Sequence, residues 1–520
     1  MKLESLNNIE RATLPARQEL FRLGLALLFI VAIIFFTSRE LHGGNLLVIA
    51  AMMGGYMALN IGANDVANNV GPTVGSRALT MAGAIFIAAI FEASGSLIAG
   101  GDVVGTIKKG IIDPALINDT DTFVWLMMAA LLAGAIWLNF ATWVGAPVST
   151  THSIVGGVLG AGIAAGGLDI ANWSKMGTIA ASWVISPVLG GIIAAAFLYF
   201  IKRTVMYRRD KVAAARRVVP LLVAVMAWAF ATYLVLKGLK KVWKVDFATA
   251  LTIGLAVGVV TYLLVRPAIR RATQGMDNSK SAINSLFTIP LIFSAALLSF
   301  AHGANDVANA VGPLAAINEA LTHGDIARKA AIPLWVMMIG ALGIALGLAL
   351  YGPKLIRTVG SEITELDKSR AFCIALAAAI TVIIASQLGL PVSSTHIAVG
   401  AVFGVGFLRE YLKATYAKMI DEIEAHHQGA DRAVVEAFLE RFRNAPLREK
   451  KAMLQQLKRS APPPAPLSKQ ERKKLKKIYR KQLVKRSALL KIAAAWVITV
   501  PASGLMAAII YFTIRGMLLP

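Results

Sequence analysis

Charge is scarce in this chain: 16% of its 520 residues are Asp, Glu, Lys or Arg, where a soluble domain carries about a quarter. That shortage excludes an ordinary water-soluble fold, and 57% hydrophobic residues with a mean hydropathy of +0.64 point the same way. Cysteine is almost absent. The lone Cys373, in the apolar run AFCIALAAAI, reads as a small packing residue, and no disulfide can form within the chain. Ten-residue stretches of alternating polarity, the mark of an outer-membrane barrel, are missing. Acidic residues are outnumbered 29 to 53 by Lys and Arg, giving a formal charge of +24. The excess does not imply nucleic acid, because it gathers in loops between apolar runs, as the positive charge of membrane proteins does on the cytoplasmic side.

What is present is a series of apolar runs near 20 residues long, from Phe21 to the C-terminus. Each is long enough to cross a bilayer as a helix. The first, FRLGLALLFIVAIIFF, is followed by SRELHGG with no small-residue cleavage site, so it reads as a retained first helix rather than a signal peptide. The expected class is an all-α polytopic membrane protein with about ten to twelve transmembrane segments.

The chain repeats itself. GANDVANNVGP begins at Gly62 and GANDVANAVGP at Gly303, 241 residues later; PVSTTHSIVGGVLGAG begins at Pro147 and PVSSTHIAVGAVFGVG at Pro391, 244 residues later. Two motifs recurring in one order at nearly one spacing mean a duplicated unit. The short basic stretch KRTVMYRRDKVAAARR (Lys202 to Arg217) belongs in the cytoplasm, which puts the loop GGLDIANWSKMG after the first PVSTTH segment outside. The matching point of the second half is the long basic stretch 409–490, which belongs inside. One point facing both ways means inverted topology, the plan of many secondary transporters. Only KGLKKVWK, basic yet external in this count, resists it.

The organisation expected is therefore a cytoplasmic N-terminus and extra first helix over 1–44, a first inverted repeat over 45–202, and a basic loop with connecting helices near 218–236 and 246–266 over 203–286. A second repeat core over 287–408, a basic cytoplasmic insertion over 409–490 and a last helix over 491–520 complete it. Within the insertion, EYLKATYAKMIDEIEAHH and AVVEAFLERF have helical spacing, APPPAP at 461–466 is a stiff spacer, and the basic run after it suits an anionic inner leaflet.

Asp65 and Asp306 stand in otherwise apolar membrane segments, where a carboxylate is costly and its default reading is functional. Asn64 and Asn68 flank the first aspartate and Asn305 and Asn309 the second; one helical turn apart, each pair is expected on one face. Glycine before the motif and Gly-Pro after it (Gly71-Pro72, Gly312-Pro313) imply a helix broken there, with free carbonyls. Carboxylate, amide oxygen and carbonyl make a hard-cation site suited to sodium, with Asp65 and Asp306 as the charged ligands. In the second motif, proline stops one helix and Ser149 or Ser393 caps the next. Ser149, Thr150 and Thr151, with Ser393, Ser394 and Thr395, then stand at two helix N-termini, where free N–H groups and hydroxyls make an anion site. His152 and His396 are expected as hydrogen-bonded orienters. Glu92, in IFEASGSLIAGG, has no acidic counterpart in MMIGALGIALG, and His302 faces Ile61 across the repeat; these two are candidates for coupling.

With its doubled GANDVAN and PVS(T/S)TH motifs, FEASGS and GTIKKGII, the chain resembles the inorganic phosphate transporter (Pit) family over about 45–410 and the final helix. The family includes sodium–phosphate symporters, proton-coupled phosphate carriers and some sulfate permeases. The resemblance implies an inverted-repeat fold with re-entrant hairpins, phosphate on the Ser/Thr motifs and cations on the Asn-Asp motifs. The extra first helix and the 409–490 insertion depart from that pattern. So does AFCIALAAAI, since sodium-coupled animal members carry a glutamate near Ala375.

Charge alone also demands coupling. Two unit charges 4 Å apart at an effective dielectric near 20 repel by roughly 4 kcal/mol, so two carboxylates and an anion need cations to arrive together. The expected activity is import of phosphate by cation symport across the inner membrane, Na+ ahead of H+, with no cofactor and no enzymatic step. A proton-coupled (metal-)phosphate carrier and a sulfate permease stay open, as does a homo-oligomer. Phosphate retains a proton that Asp or Asn oxygens accept, and sulfate does not. A passive anion channel needs no carboxylates beside its anion. An intramembrane aspartyl protease needs a proton-sharing pair without duplicated hydroxyls.

Overall fold

The computed structural model describes residues 3–40, 44–117, 119–238, 245–324, 332–361, 366–412 and 486–518, with 423, 427, 430–444, 449, 453–457, 466–468, 470–472 and 475. Expectations for APPPAP, for most of EYLKATYAKMIDEIEAHH and for the basic run after 475 fall largely outside those residues.

The elements are helices: α1 (Leu3–Glu40), α2 (Gly44–Asn64), α3 (Val66–Gly75), α4 (Met81–Ala99), α5 (Gly101–Lys109), α6 (Thr120–Val144), α7 (Thr150–Gly166), α8 (Trp173–Ile201) and α9 (Lys211–Tyr233). They continue with α10 (Phe247–Ala272), α11 (Lys280–Ser285), α12 (Thr288–Asp306), α13 (Ala308–His323), α14 (Leu334–Ser361), α15 (Lys368–Gln387), α16 (Ser394–Leu412), α17 (Ala430–Asn444) and α18 (Arg486–Leu518). An apolar chain in lipid must satisfy its backbone internally, and a helix does so residue by residue. Among the described residues eleven segments are long and apolar enough to cross a bilayer. The first helix starts well before Phe21, so the polar N-terminal stretch from Leu3 is helical too.

Two compact units are present: residues 1–404 with 487–520, and Val405–Arg486. The second has its own apolar cluster, with Val435, Leu439 and Phe442 of α17 buried with Leu457 and Leu475. In the first, helices cross at small residues. A Cβ on Gly62 of α2 would run into the carbonyl of Ile344 on α14, and one on Gly303 of α12 into the carbonyl of Glu92 on α4. These crossings correspond, so α2 with α14 repeats as α12 with α4, and Ile344 is the counterpart of Glu92. Close backbone approach of this kind replaces the hydrophobic effect as the glue between helices in lipid.

The helices α6 and α7 form a hairpin, as do α15 and α16. An antiparallel bridge between Ile112 and Ala171 holds the two open ends of the first hairpin together. Its tip turns at Gly145 (φ +77°), and the second tip turns at Gly389 (φ +64°), 244 residues on. Both conformations are left-handed, which glycine adopts without penalty. Five candidate spans separate the hairpins: Trp173–Met206, Lys211–Gly238, Phe247–Ala272, Lys280–His323 and Leu334–Arg357. Five is odd, so the hairpins enter from opposite faces and meet at their tips, where Thr151 Oγ1 donates to the carbonyl of Val392 at 3.0 Å.

Candidate functional site

The two helices carrying the Asn-Asp motifs are interrupted at the motif itself, α2 giving way to α3 at Asp65 and α12 to α13 at Val307. Each interruption is one residue wide. Asp65 N still donates to Ile61 O at 2.9 Å, but Asn68 N reaches back only three residues to Asp65 O at 3.0 Å. The expected break at Gly-Pro does not occur, because Pro72 and Pro313 lie inside α3 and α13. The prolines nevertheless free carbonyls. Lacking an N–H, each leaves the carbonyl four residues earlier without its helical donor, and those carbonyls belong to Asn68 and Asn309.

The hairpin tips bring their hydroxyls to the aspartates. Asp65 accepts from Thr150 of the first hairpin (2.6 Å) and from Thr395 of the second (2.9 Å). Asp306 accepts from Ser394 of the second (2.7 Å) and from Thr151 of the first (3.3 Å). The asparagines one turn on complete the lattice: Asn68 donates to Thr395 Oγ1 at 2.7 Å, and Asn309 to Thr150 and Thr151 at 3.1 and 3.2 Å. All these groups are buried. The anion and cation sets expected as neighbours are thus one interlocked cluster, with each aspartate held by both halves.

Ser149 and Ser393 sit slightly apart as helix caps, accepting from the backbone N–H of His152 (3.1 Å) and of His396 (3.2 Å). Asn64 and Asn305, expected beside Asn68 and Asn309, point elsewhere. Asn64 donates to Thr142 (3.0 Å) and to the carbonyl of Ala146 (3.2 Å), and accepts from Val148 N. Asn305 repeats this with Ser386 (3.0 Å) and the carbonyl of Leu390 (3.4 Å). They clasp the hairpin tips from behind. His152 and His396 were expected as hydrogen-bonded orienters, but both ring nitrogens of His152 and Nε2 of His396 are buried without a side-chain partner. Their rings instead pack against Trp183 (centroids 3.8 Å apart) and Trp496 (3.6 Å), and against each other at 4.3 Å.

Glu92 and His302 join the cluster from one side only. Glu92 accepts from Asn69 at 2.8 Å and lies 2.7 Å from His302 Nδ1. His302 Nε2 lies 2.7 Å from Asp306 Oδ2, an ion-pair distance, though off the line of a hydrogen bond. Asp65, His302 and Asp306 each offer a ligand atom, all within 4.8 Å of one another. Asn69 was not among the expected residues. Its signal was available: the two halves differ in polarity at Asn69/Ala310, His302/Ile61 and Glu92/Ile344, and all three polar members meet here. Trp183 and Trp496 were missed as well; WVIS and WVIT recur, but 313 residues apart instead of 244.

Asp65 and Asp306 offer carboxylate oxygen, the prolines free the Asn68 and Asn309 carbonyls, and Asn68 Oδ1 is buried without a partner. A buried acceptor without a partner is costly unless a water or a cation meets it. This donor set fits a hard monovalent cation such as Na+.

A sequence profile of the PHO4 phosphate transporter family matches residues 61–507. A protein of Helicobacter pylori strain J99 named "putative phosphate permease" is 52% identical over 98% of both chains. Another of that name from Pyrococcus abyssi is 41% identical over 70% of this chain and 89% of its own. A solved structure described as the sodium-dependent phosphate transporter superposes with a TM-score of 0.74 at 31% identity, covering 91% of this chain and all of that one.

Proposed function

The chain belongs to the phosphate transporter family, and from that premise we propose that it imports inorganic phosphate by symport with Na+ across the inner membrane, its N-terminus in the cytoplasm. The observation that carries this reading is the shared use of the hydroxyls. Thr150, Ser394 and Thr395 each donate a hydroxyl hydrogen bond to an aspartate, and Thr151 shares its one O–H between Asp306 and the carbonyl of Val392. A phosphate oxygen arriving between the hairpin tips competes with a carboxylate for the same protons. A cation on Asp65 or Asp306 weakens that competitor, and the hydroxyls turn to the anion. Cation and phosphate then bind together or not at all, which is the requirement for coupling.

In this reading Ser149, Thr150, Thr151, Ser393, Ser394 and Thr395 form the anion cradle, the two serines mainly by presenting helix N-termini. Asp65, Asn68, Asp306 and Asn309 hold the cations. Asn64 and Asn305 act through the tips they clasp, and Glu92 and His302 bias the charge at Asp306. The domains are assigned as the sequence suggested, with 45–202 and 287–408 as repeat cores and 409–490 as a cytoplasmic insertion. Proton coupling is the second reading, favoured by the contact chain from Asn69 through Glu92 and His302 to Asp306. The deciding experiment is radiolabelled phosphate uptake into proteoliposomes with Na+ and H+ gradients imposed separately. Uptake driven by the Na+ gradient at equal pH is expected. Uptake driven by neither gradient would refute symport.

A further inference from the structure

Two pockets flank the hairpin tips, and they occupy related places in the two halves. The first, about 540 Å³, is walled by α1, α2, α6 and α14, and Asn60, Asn139, Thr142 and Trp143 lie on its lining. The second, about 420 Å³, is walled by α9, α10 and α15. It presents Ile383 and Gln387, which stand 244 residues after Asn139 and Trp143. Because the hairpins enter from opposite faces, these two tip-side pockets belong to opposite faces of the membrane.

Their chemistry differs. The second is apolar apart from Thr232, Tyr233 and Gln387. The first has Arg22 and Lys354 against one carboxylate, Glu19, and adds Tyr56, Tyr351 and the two asparagines. Arg22 pairs with Glu19 at 2.6 Å, and Lys354 Nζ donates to the carbonyl of Trp143, at the tip of the hairpin, at 2.6 Å. The net charge of the wall is positive and suits an anion. Its floor is one residue layer from the transport site: Thr142 accepts from Asn64, and Asn64 accepts from Val148 N, two residues before Thr150 on Asp65.

Resting on the phosphate reading above, we propose that this pocket is the vestibule through which the oxyanion passes between one face of the membrane and the site. The clasp of Asn64 on Thr142 and Ala146 is its inner gate, and α1 builds its outer wall. On the opposite side the equivalent clasp is Asn305 on Ser386 and Leu390, and the pocket beside Gln387 there is mainly apolar. In this arrangement the oxyanion exchanges between the site and the face of the polar pocket when the Asn64 clasp opens.

Cysteine accessibility tests this in the full chain. In a Cys373→Ser background, Asn60→Cys is placed on the vestibule floor and Ala301→Cys at the matching position of the other half. A membrane-impermeant anionic thiosulfonate is then applied from each face of oriented proteoliposomes. Asn60→Cys is expected to react from one face only, several-fold more slowly when phosphate and Na+ are present, and to lose uptake once labelled; Ala301→Cys is expected to be silent from that face. Should Asn60→Cys insert poorly, Asn139→Cys on the same pocket takes its place with the same expectations. Labelling indifferent to phosphate, equal from both faces, or without loss of uptake overturns the vestibule. Uptake by the Cys373→Ser parent separates the two ideas: a transporting parent with an indifferent pocket cysteine sinks the vestibule alone, whereas a parent that takes up no phosphate sinks the reading beneath it.

Discussion

Asp65 and Thr395 stand 330 residues apart, in opposite halves of the chain, and share a 2.9 Å hydrogen bond. Its counterpart joins Asp306 to Thr151 at 3.3 Å. Neither half can therefore assemble an aspartate's full set of donors alone. Replacing Thr151 and Thr395 together by Ala removes the two cross-half bonds to the aspartates and keeps those from Thr150 to Asp65 and from Ser394 to Asp306. A hydrogen bond to a charged group contributes about 1.5–3 kcal/mol, so phosphate affinity measured by calorimetry should fall at least about tenfold, with sodium binding retained. Undiminished phosphate affinity would remove these hydroxyls from the cradle.

The carboxylates themselves should be indispensable. Asp65→Asn and Asp306→Asn keep shape and one acceptor oxygen but remove the charge that requires a cation. Each variant should remain folded in the membrane and lose gradient-driven uptake. Near-normal, still cation-dependent uptake by either would contradict the assignment.

The one-sided set Asn69, Glu92 and His302 allows a test that separates structure from coupling. His302→Ala alone leaves the buried Glu92 with Asn69 but without its ion-pair partner, which costs about 3–5 kcal/mol, and a large drop in melting temperature should follow. The triple change Asn69→Ala, Glu92→Ile, His302→Ile copies the residues of the opposite half, Ala310, Ile344 and Ile61. It should recover most of that stability and yet transport with altered ion dependence. A triple variant with wild-type coupling would reduce the trio to a structural role.

The unit Val405–Arg486 carries its own apolar cluster and none of the candidate site residues. Replacing 413–485 with a flexible linker should leave phosphate affinity nearly unchanged in detergent-purified protein. A large loss of affinity in correctly inserted protein would show that this unit shapes the site.

The aspartates and hydroxyls were legible in the sequence because each combines a costly residue type with a second copy. The asparagine roles were not. Asn64 and Asn68 are one turn apart, but the three-residue reach of Asn68 N to Asp65 O changes the helical phase between them and turns Asn64 toward the tip. Histidine beside a hydroxyl motif suggested a hydrogen-bonding role, whereas Trp183 and Trp496 offer ring faces instead. Those tryptophans come from α8 and α18, and their relation to the hairpins cannot be seen without a common spacing. Pro72 and Pro313 were expected to end their helices, but a proline costs a helix only one donor, and packing on all sides keeps α3 and α13 continuous.

That spacing also shows where the two halves differ. Trp183 and Trp496 pack against equivalent histidines, and Gly191 and Gly504 approach Gly404 and Gly160 on the paired hairpin helices, so the tryptophan helix was part of the ancestral half when it was copied. The second half holds 69 more residues than the first between its hydroxyl motif and that helix, since the offset grows from 244 to 313. The extra length falls in the interval that holds Val405–Arg486. The tryptophan helix thus belongs to the repeated half, and the interval in which the halves differ lies between the hydroxyl motif and that helix, where length can change without displacing either.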